Sequence, residues 1–489
     1  MAERVPKDRA ATPAARVVVI SVGYPLSVHA PGFRRKGAVM AVADALSGPA
    51  VGSVVGGPSG QGAGVFGTDP ARRRFARLVC LVVGAFGWVN LALLGRALLA
   101  KNPPQAGFDL QLLLDAARRV AAGGSPYDPN AVTNGLQARD LFYSYPPVVA
   151  QFLAPLSGLP SWLVLTGSCL GAVVGLAVVA FALARSPIGR PVLAQAALSQ
   201  DAALVAVAAA PFFFPFAVAL LFGNVDAWFP FLFGAVALTL ASGPALPSRA
   251  AVMSGGAALA IASVVKLHPG TLAVWLAARW SAASGSSRAT LAVIGSGVAT
   301  GAAILAVSLL VGGTGPWRDY IGYLGMSGNA DLTSSVNVGP ASQLALLAGN
   351  PGLARPLAVA FAVLAVAATL SAARFVRDQL ESFGWAVVAS LVVLPVTWYH
   401  YPVALIPVAL AAWTRSRGTP RGRSVTVALV AACLVADAAI VLPVALWLAV
   451  ATLFLAVRWS RPQPRPGSVL QAEPVLAEGA AASPAPVPR

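Results

Sequence analysis

Apolar residues run in long blocks along most of the chain, separated by short polar or basic turns. Several blocks approach the roughly 20 residues an α-helix needs to cross a bilayer, and no ten-residue alternation of a membrane barrel interrupts them. The pattern predicts an all-α, polytopic helical membrane protein with about 12 transmembrane helices over 76–458, flanked by disordered cytoplasmic tails at 1–75 and 459–489. Arg72, Arg73, Arg74 and Arg77 place the N-terminus of the first helix, 78–100, on the cytoplasmic side. The stretch 146–184 is too long for one pass and breaks at Leu159-Pro160, so its first part reads as half-inserted and 162–184 as the pass. Further passes are expected at 193–221 (itself broken by PFFFP), 225–242, 250–265, 268–280, 289–312, 353–373, 383–396, 400–413, 424–440 and 441–458. Basic turns then alternate with polar ones, and both termini fall in the cytoplasm.

The longest polar interruption, 107–147, follows the first helix and is expected outside; it carries Asp109, Asp115, Asp128 and Asp140. Behind Asp109, the apolar residues Leu110, Leu113, Leu114, Ala117, Val120 and Ala121 have helical spacing, with Arg118 and Arg119 on another face. That is an amphipathic helix lying on the outer membrane surface. The polar groups near the other passes, Asn224 and Asp226, Lys266 and His268, Asn337 and Gln343, and His400, all fall at the same outer ends. Polar clusters converging on one face predict a site.

Composition sharpens this picture. The chain of 489 residues is 57% hydrophobic and only 10% charged, where a soluble domain carries about 25% charged residues. The net charge of +17 does not indicate nucleic acid, because 11 of the 34 basic residues precede Leu78 and many others sit in short turns, as positive-inside loops require. Cys80, Cys169 and Cys433 lie inside apolar runs without ligand spacing and read as small buried hydrophobes. There is no GxxxxGK[ST], GxSxG or HExxH, and nucleotide hydrolysis is not expected of this chain.

Each candidate residue has a plain alternative. Asp109 stands where an N-cap or a catalytic carboxylate would stand. Lys266, at an outer helix end, either snorkels to headgroups or offers a counter-charge to phosphate. His400, within Trp398-Tyr399-His400-Tyr401, is either an interfacial structural histidine or a site residue, and with His268 alone it is too few for zinc. Asn224 and Asp226 fit a cap or a substrate contact. Asp115 reads as a solvated face and Asp128 as a turn former.

Six motifs, in order, resemble the polyprenyl-phosphate-dependent membrane glycosyltransferases of family 87, which have the GT-C fold. They are GFDLQLLLDAARRVAAGGSPYDP, SYPPVVAQFLAPLSGLP, FGNVDAWFPFLFGAVAL, ASVVKLHPGTLAVWLAARW, SSVNVGPASQLALLAG and LPVTWYHYPVALIPVAL, spanning about 107–410. The resemblance implies an enzyme of the cytoplasmic membrane, similar to phosphatidylinositol-mannoside mannosyltransferases. It would take mannose from a polyprenyl phosphate on the outer face and pass it to a lipid-linked or cell-envelope glycan. It also implies Asp109 as the catalytic base and Lys266 and His400 as donor-phosphate ligands. Asn224, Asp226, His268, Tyr145 and Asn337 are further candidates for substrate binding. The chain departs from the pattern at Asn224 and Asp226, where relatives carry Gln then Asn, and at Tyr401, where they carry a second histidine. A phosphate leaving group needs only one carboxylate, acting on the acceptor hydroxyl, and a single displacement inverts the anomeric centre. No diphosphate is involved, so the chemistry does not require a divalent metal or other cofactor. The competing reading is a lipid-linked sugar flippase, which needs access from both faces.

Overall fold

The structure, a computed structural model, describes residues 69–101, 105–128, 143–186, 195–241, 249–282, 287–330, 332–334, 337–417, 419–439 and 442–461. Of the tails expected at 1–75 and 459–489, residues 1–68 and 462–489 lie outside the described residues, as do His29 and Asp140, while 70–75 and 459 are helical. Among those described, every regular element is helical. In order they are α1 Pro70–Leu99, α2 Phe108–Ala121, α3 Pro147–Leu153, α4 Ser161–Arg185, α5 Gln195–Ala209, α6 Phe214–Phe222, α7 Phe229–Ala241 and α8 Arg249–Val265. Then follow α9 Thr271–Ala282, α10 Ser287–Gly312, α11 Gly315–Ala330, α12 Pro340–Leu347, α13 Ala354–Phe375, α14 Gln379–Val392, α15 Ile406–Ser416, α16 Gly422–Ala438 and α17 Ala445–Trp459. Short 3-10 turns bridge several of them.

Helix α1 begins at Pro70, well before the expected residue 78, because Asp69-Pro70 is a start signal. The Asp69 carboxylate accepts from Ala71 N–H at 2.9 Å, and proline is favoured at the first helical position. Its arginines are not all free for headgroups. Arg73 and Arg77 both hold Asp201 of α5, at 3.2 and 2.6 Å, and that carboxylate is fully buried. Polar clusters therefore occur at both ends of the bundle, contrary to the expectation that they gather only at the Asp109 end.

The PFFFP break is a designed bend. Helices α5 and α6 meet at 75°. Pro211 has no N–H, so the carbonyl of Val207 loses its helical partner. The Trp88 indole of α1 donates to it at 3.1 Å instead. The free N–H of Phe214, at the start of α6, is taken by Asp437 of α16 at 3.0 Å. Elsewhere α8 and α10 touch through backbone: a Cβ at Gly256 would lie 2.3 Å from the Val293 carbonyl oxygen.

Among the described residues, four helices are long and apolar enough to cross a membrane by length and composition, Pro70–Leu99, Ser161–Arg185, Leu291–Gly312 and Pro351–Phe375, and the bent pair makes five if it is one span. Their outward faces, such as Leu78, Leu81, Val82, Phe86, Val89 and Leu93 of α1, are exposed and apolar, as a lipid-facing helix requires. By this criterion the described residues support four to five of the roughly 12 expected spans. Several expected passes form helices of 11–17 residues, about 17–26 Å long, short of a hydrocarbon core of about 30 Å. Helix α2 is amphipathic as expected, but its apolar residues Leu110, Leu113 and Leu114 are buried against Tyr143, Tyr320 and Tyr323. Protein, rather than a membrane surface, covers that face.

Candidate active site

Helix α2 starts directly on the turn that ends α6. Gly107 N–H donates to the Leu221 carbonyl at 2.8 Å, and Gly223 is left-handed, with φ 65°. A Cβ at Gly223 would lie 2.7 Å from Leu110 Cβ, so only glycine allows α2 to sit this close. The contact places Asp109 in the first turn of α2. Asp109 is not the cap: Gly107 holds that position without any side-chain bond. Its carboxylate Oδ2 instead accepts a 2.8 Å hydrogen bond from Asn224 Nδ2. Burial pushes its pKa up to about 6; the Asn224 bond and nearby Lys266 oppose the rise, and nearby Asp226 adds to it.

Asn224 is the cap of the next turn, Val225–Trp228, and its Oδ1 accepts from Asp226 N–H at 2.9 Å. The Asp226 side chain is fully buried. Lys266, just past the end of α8, reaches it, donating to Oδ2 at 2.9 Å with Nζ also 2.8 Å from Oδ1. The same ammonium lies 4.0 Å from the ring centre of Tyr401 and 5.8 Å from that of Tyr145. Lys266 therefore does not snorkel; it is turned inward and paired. His400 Nε2 stands 3.4 Å from Asp226 Oδ2 without a hydrogen-bond partner among the described residues.

His268 joins the group through Tyr401, with ring centres 5.7 Å apart and the planes within 13°. Its Nδ1 is 3.4 Å from Ser390 Oγ, whose own proton goes to the Val387 carbonyl at 2.7 Å. The buried Nε2 has no hydrogen-bond partner among the described residues. Tyr145 is tied in by its backbone, its carbonyl accepting from Tyr127 Oη at 2.8 Å.

Asn337 is placed differently. Its Oδ1 accepts from Gly339 and Thr397 N–H at 2.9 and 3.0 Å, and its Nδ2 donates to the Pro395 carbonyl at 3.1 Å. That amide clamps one loop to another. Asp115 is half-exposed and pairs with Arg118 at 2.7 Å, as a solvated face would.

Six of the eight candidates thus meet in one buried group: Asp109, Asn224, Asp226, Lys266, His268 and His400. Tyr145 lines it. The residue that sequence reading passed over is Tyr401, noted only as a departure from a pattern. Its ring packs against Lys266 and His268, and also lies edge-on to His400, with ring centres 5.1 Å apart. The group holds a carboxylate with one oxygen engaged, a buried ion pair and two imidazoles with unfilled nitrogens. It can take a proton from a hydroxyl and offer polar contacts to a polyoxygenated ligand.

A family model described as glycosyltransferase family 87 matches residues 143–397, just over half of the chain. The match includes Asn224, Asp226, Lys266 and His268 and stops short of Asp109 and His400. Neither the curated proteins nor the solved structures contain a match.

Proposed function

From the premise that the chain belongs to glycosyltransferase family 87, whose members are membrane glycosyltransferases, we propose that it moves mannose from a polyprenyl-phosphate donor to a lipid-linked or cell-envelope glycan at the outer face of the cytoplasmic membrane. The acceptor hydroxyl oxygen attacks the anomeric carbon as the bond from that carbon to the phosphate oxygen breaks. The hydroxyl proton passes to Asp109, and the leaving group departs as polyprenyl phosphate. One displacement inverts the anomeric centre.

The observation that carries this reading is the state of Asp109. With a pKa near 6 it is ionised at neutral pH yet basic enough to accept a proton, and Asn224 occupies only Oδ2. Lys266 and His400 supply N–H groups toward the departing phosphate, so the phosphate meets an ammonium already shared with Asp226. His268 Nε2 hydrogen-bonds a sugar hydroxyl. Mannose is the hexose that the resemblance to the family implies.

The test is transfer from purified polyprenyl-phosphate mannose to a phosphatidylinositol mannoside by the full chain in detergent. Asp109→Asn should cost about 10²–10⁴-fold in rate. Unchanged transfer by that variant would end the assignment. A flippase would leave the donor unconsumed whether or not acceptor is present.

A further inference from the structure

The Asn224 amide has only one sensible orientation. Its oxygen faces the Asp226 N–H at 2.9 Å, and reversing the amide would set its NH₂ against that donor. Nδ2 is therefore fixed toward Asp109, 2.8 Å from Oδ2. The residue is 3% exposed. Its own backbone is held on both sides, with Asn224 N–H donating to the Ala219 carbonyl at 2.8 Å and Ala227 N–H donating to the Asn224 carbonyl at 3.1 Å. A rigid amide thus joins the turn carrying Asp226 to the carboxylate of α2.

We infer that Asn224 is a positioning residue for the base: it binds one carboxylate oxygen of Asp109, fixes the rotation of that group, and leaves Oδ1 as the oxygen that receives the acceptor proton. This rests on the reading of Asp109 as the base. It departs from the expectation that Asn224 contacts substrate. A donor held on one oxygen favours the ionised carboxylate, so the same bond keeps Asp109 charged at neutral pH. It also ties the base to the turn that bears the partner of Lys266, so the two halves of the site are set by one side chain.

The test separates positioning from capping. Asn224→Ser keeps a side-chain oxygen able to cap the Asp226 N–H but loses the donor to Asp109, whereas Asn224→Ala loses both. In the full chain assayed with polyprenyl-phosphate mannose, both variants should lower kcat about tenfold to a hundredfold, with the KM for donor nearly unchanged. Both should also move the acid limb of the pH–rate profile upward by about one pH unit. Adding either change to Asp109→Asn should cost nothing further. A wild-type acid limb in Asn224→Ser, or an additive loss in the double variant, overturns the inference. An Asp109→Asn protein that remains fully active overturns the base itself, which is a different result from either.

Discussion

Lys266→Met removes the ammonium paired with Asp226, a carboxylate that is 0% exposed, from a side chain that is itself 11% exposed. The two charges lie 2.8 Å apart, so folding has already taken both out of water. Breaking a buried pair from one side strands the other charge, and the expected loss of unfolding free energy is about 3–5 kcal/mol. A drop in activity from this variant alone would therefore say little about donor binding. Asp226→Asn combined with Lys266→Met replaces the pair by neutral groups of similar size and should recover most of the stability, because such replacements are close to neutral. The Asp226 N–H that holds Asn224 belongs to the backbone and survives. Unfolding in detergent, measured beside transfer from polyprenyl-phosphate mannose, reads both terms. The double variant should be folded yet raise the donor KM at least about tenfold, the loss expected from one charge-assisted contact. A single variant destabilised by less than about 1 kcal/mol would refute the buried-pair argument. A stable double variant with normal donor use would make Lys266 purely structural.

Other predictions follow from the same contacts. The rate kcat/KM should fall tenfold per pH unit below about 6, where Asp109 takes up its proton, and a profile flat to pH 5 would remove Asp109 as the titrating group. The stability of the wild type carries the opposite mark of the same shift. The folded-state pKa, about 6, exceeds the ordinary carboxylate value of about 3.9, so the contribution is full below about pH 4 and lost as pH rises through about 6. The Asp109→Asn protein does not titrate there, and its melting temperature relative to wild type should rise across that window; a gap that is constant with pH would contradict the burial of Asp109. Gly223→Ala should cost about 1–2 kcal/mol from its left-handed backbone. It should also lower kcat by pushing α2 off the turn, since the new Cβ would lie 2.7 Å from Leu110 Cβ; unchanged kcat would show that Asp109 is placed by something else. Trp88→Phe leaves the Val207 carbonyl unpaired at the α5–α6 bend and should cost about 1–2 kcal/mol of stability with little change in KM.

The apolar blocks made the helical class and the long helices α1, α4, α10 and α13 legible, because length and hydropathy are local properties. The breaks were legible too, since Pro160, Pro211 and Pro215 act on their own neighbours. Helix lengths in the second half were not, because the span of an α14 or α15 depends on what packs against it. At the site, Asp109, Lys266 and His400 stood out as polar groups at helix ends, but the contacts that gather them join residues far apart in the chain, 115 positions in the case of Asn224 with Asp109. One pairing could have been foreseen. Asp226 and Lys266 are opposite charges in apolar surroundings, and buried charges are seldom left single. The same reasoning would have matched Asp201 with the arginines of α1. Tyr401 could not be singled out by type, since an aromatic residue at a helical hairpin is ordinary, and only the packing gives its ring a role.

The arrangement bears on how a buried site could tolerate the charge that the proposed reaction creates. Before transfer, the ionised Asp109 and the Asp226–Lys266 pair sum to one negative charge, to which a sugar phosphodiester adds another. During the displacement the leaving phosphate gains negative charge while Asp109 gains a proton and loses its own. The total stays constant, so no new net charge has to be desolvated, and what changes is where the charge lies. It moves from the α2 side of the site to the phosphate, and this is favourable only if the phosphate is nearer to Lys266 than Asp109 is. Asp226 sharpens that requirement, since it already draws the ammonium toward the turn at Val225–Trp228. A carboxylate there restrains Lys266 from pairing with Asp109, which would hold the base in its ionised form and lower its affinity for the acceptor proton. On this reasoning Asp226→Asn, with Lys266 intact, should shift the acid limb below pH 6, a readout that loss of folded protein does not move, because the released ammonium would be drawn to Asp109. An acid limb that stays in place would mean that Asp226 serves stability alone.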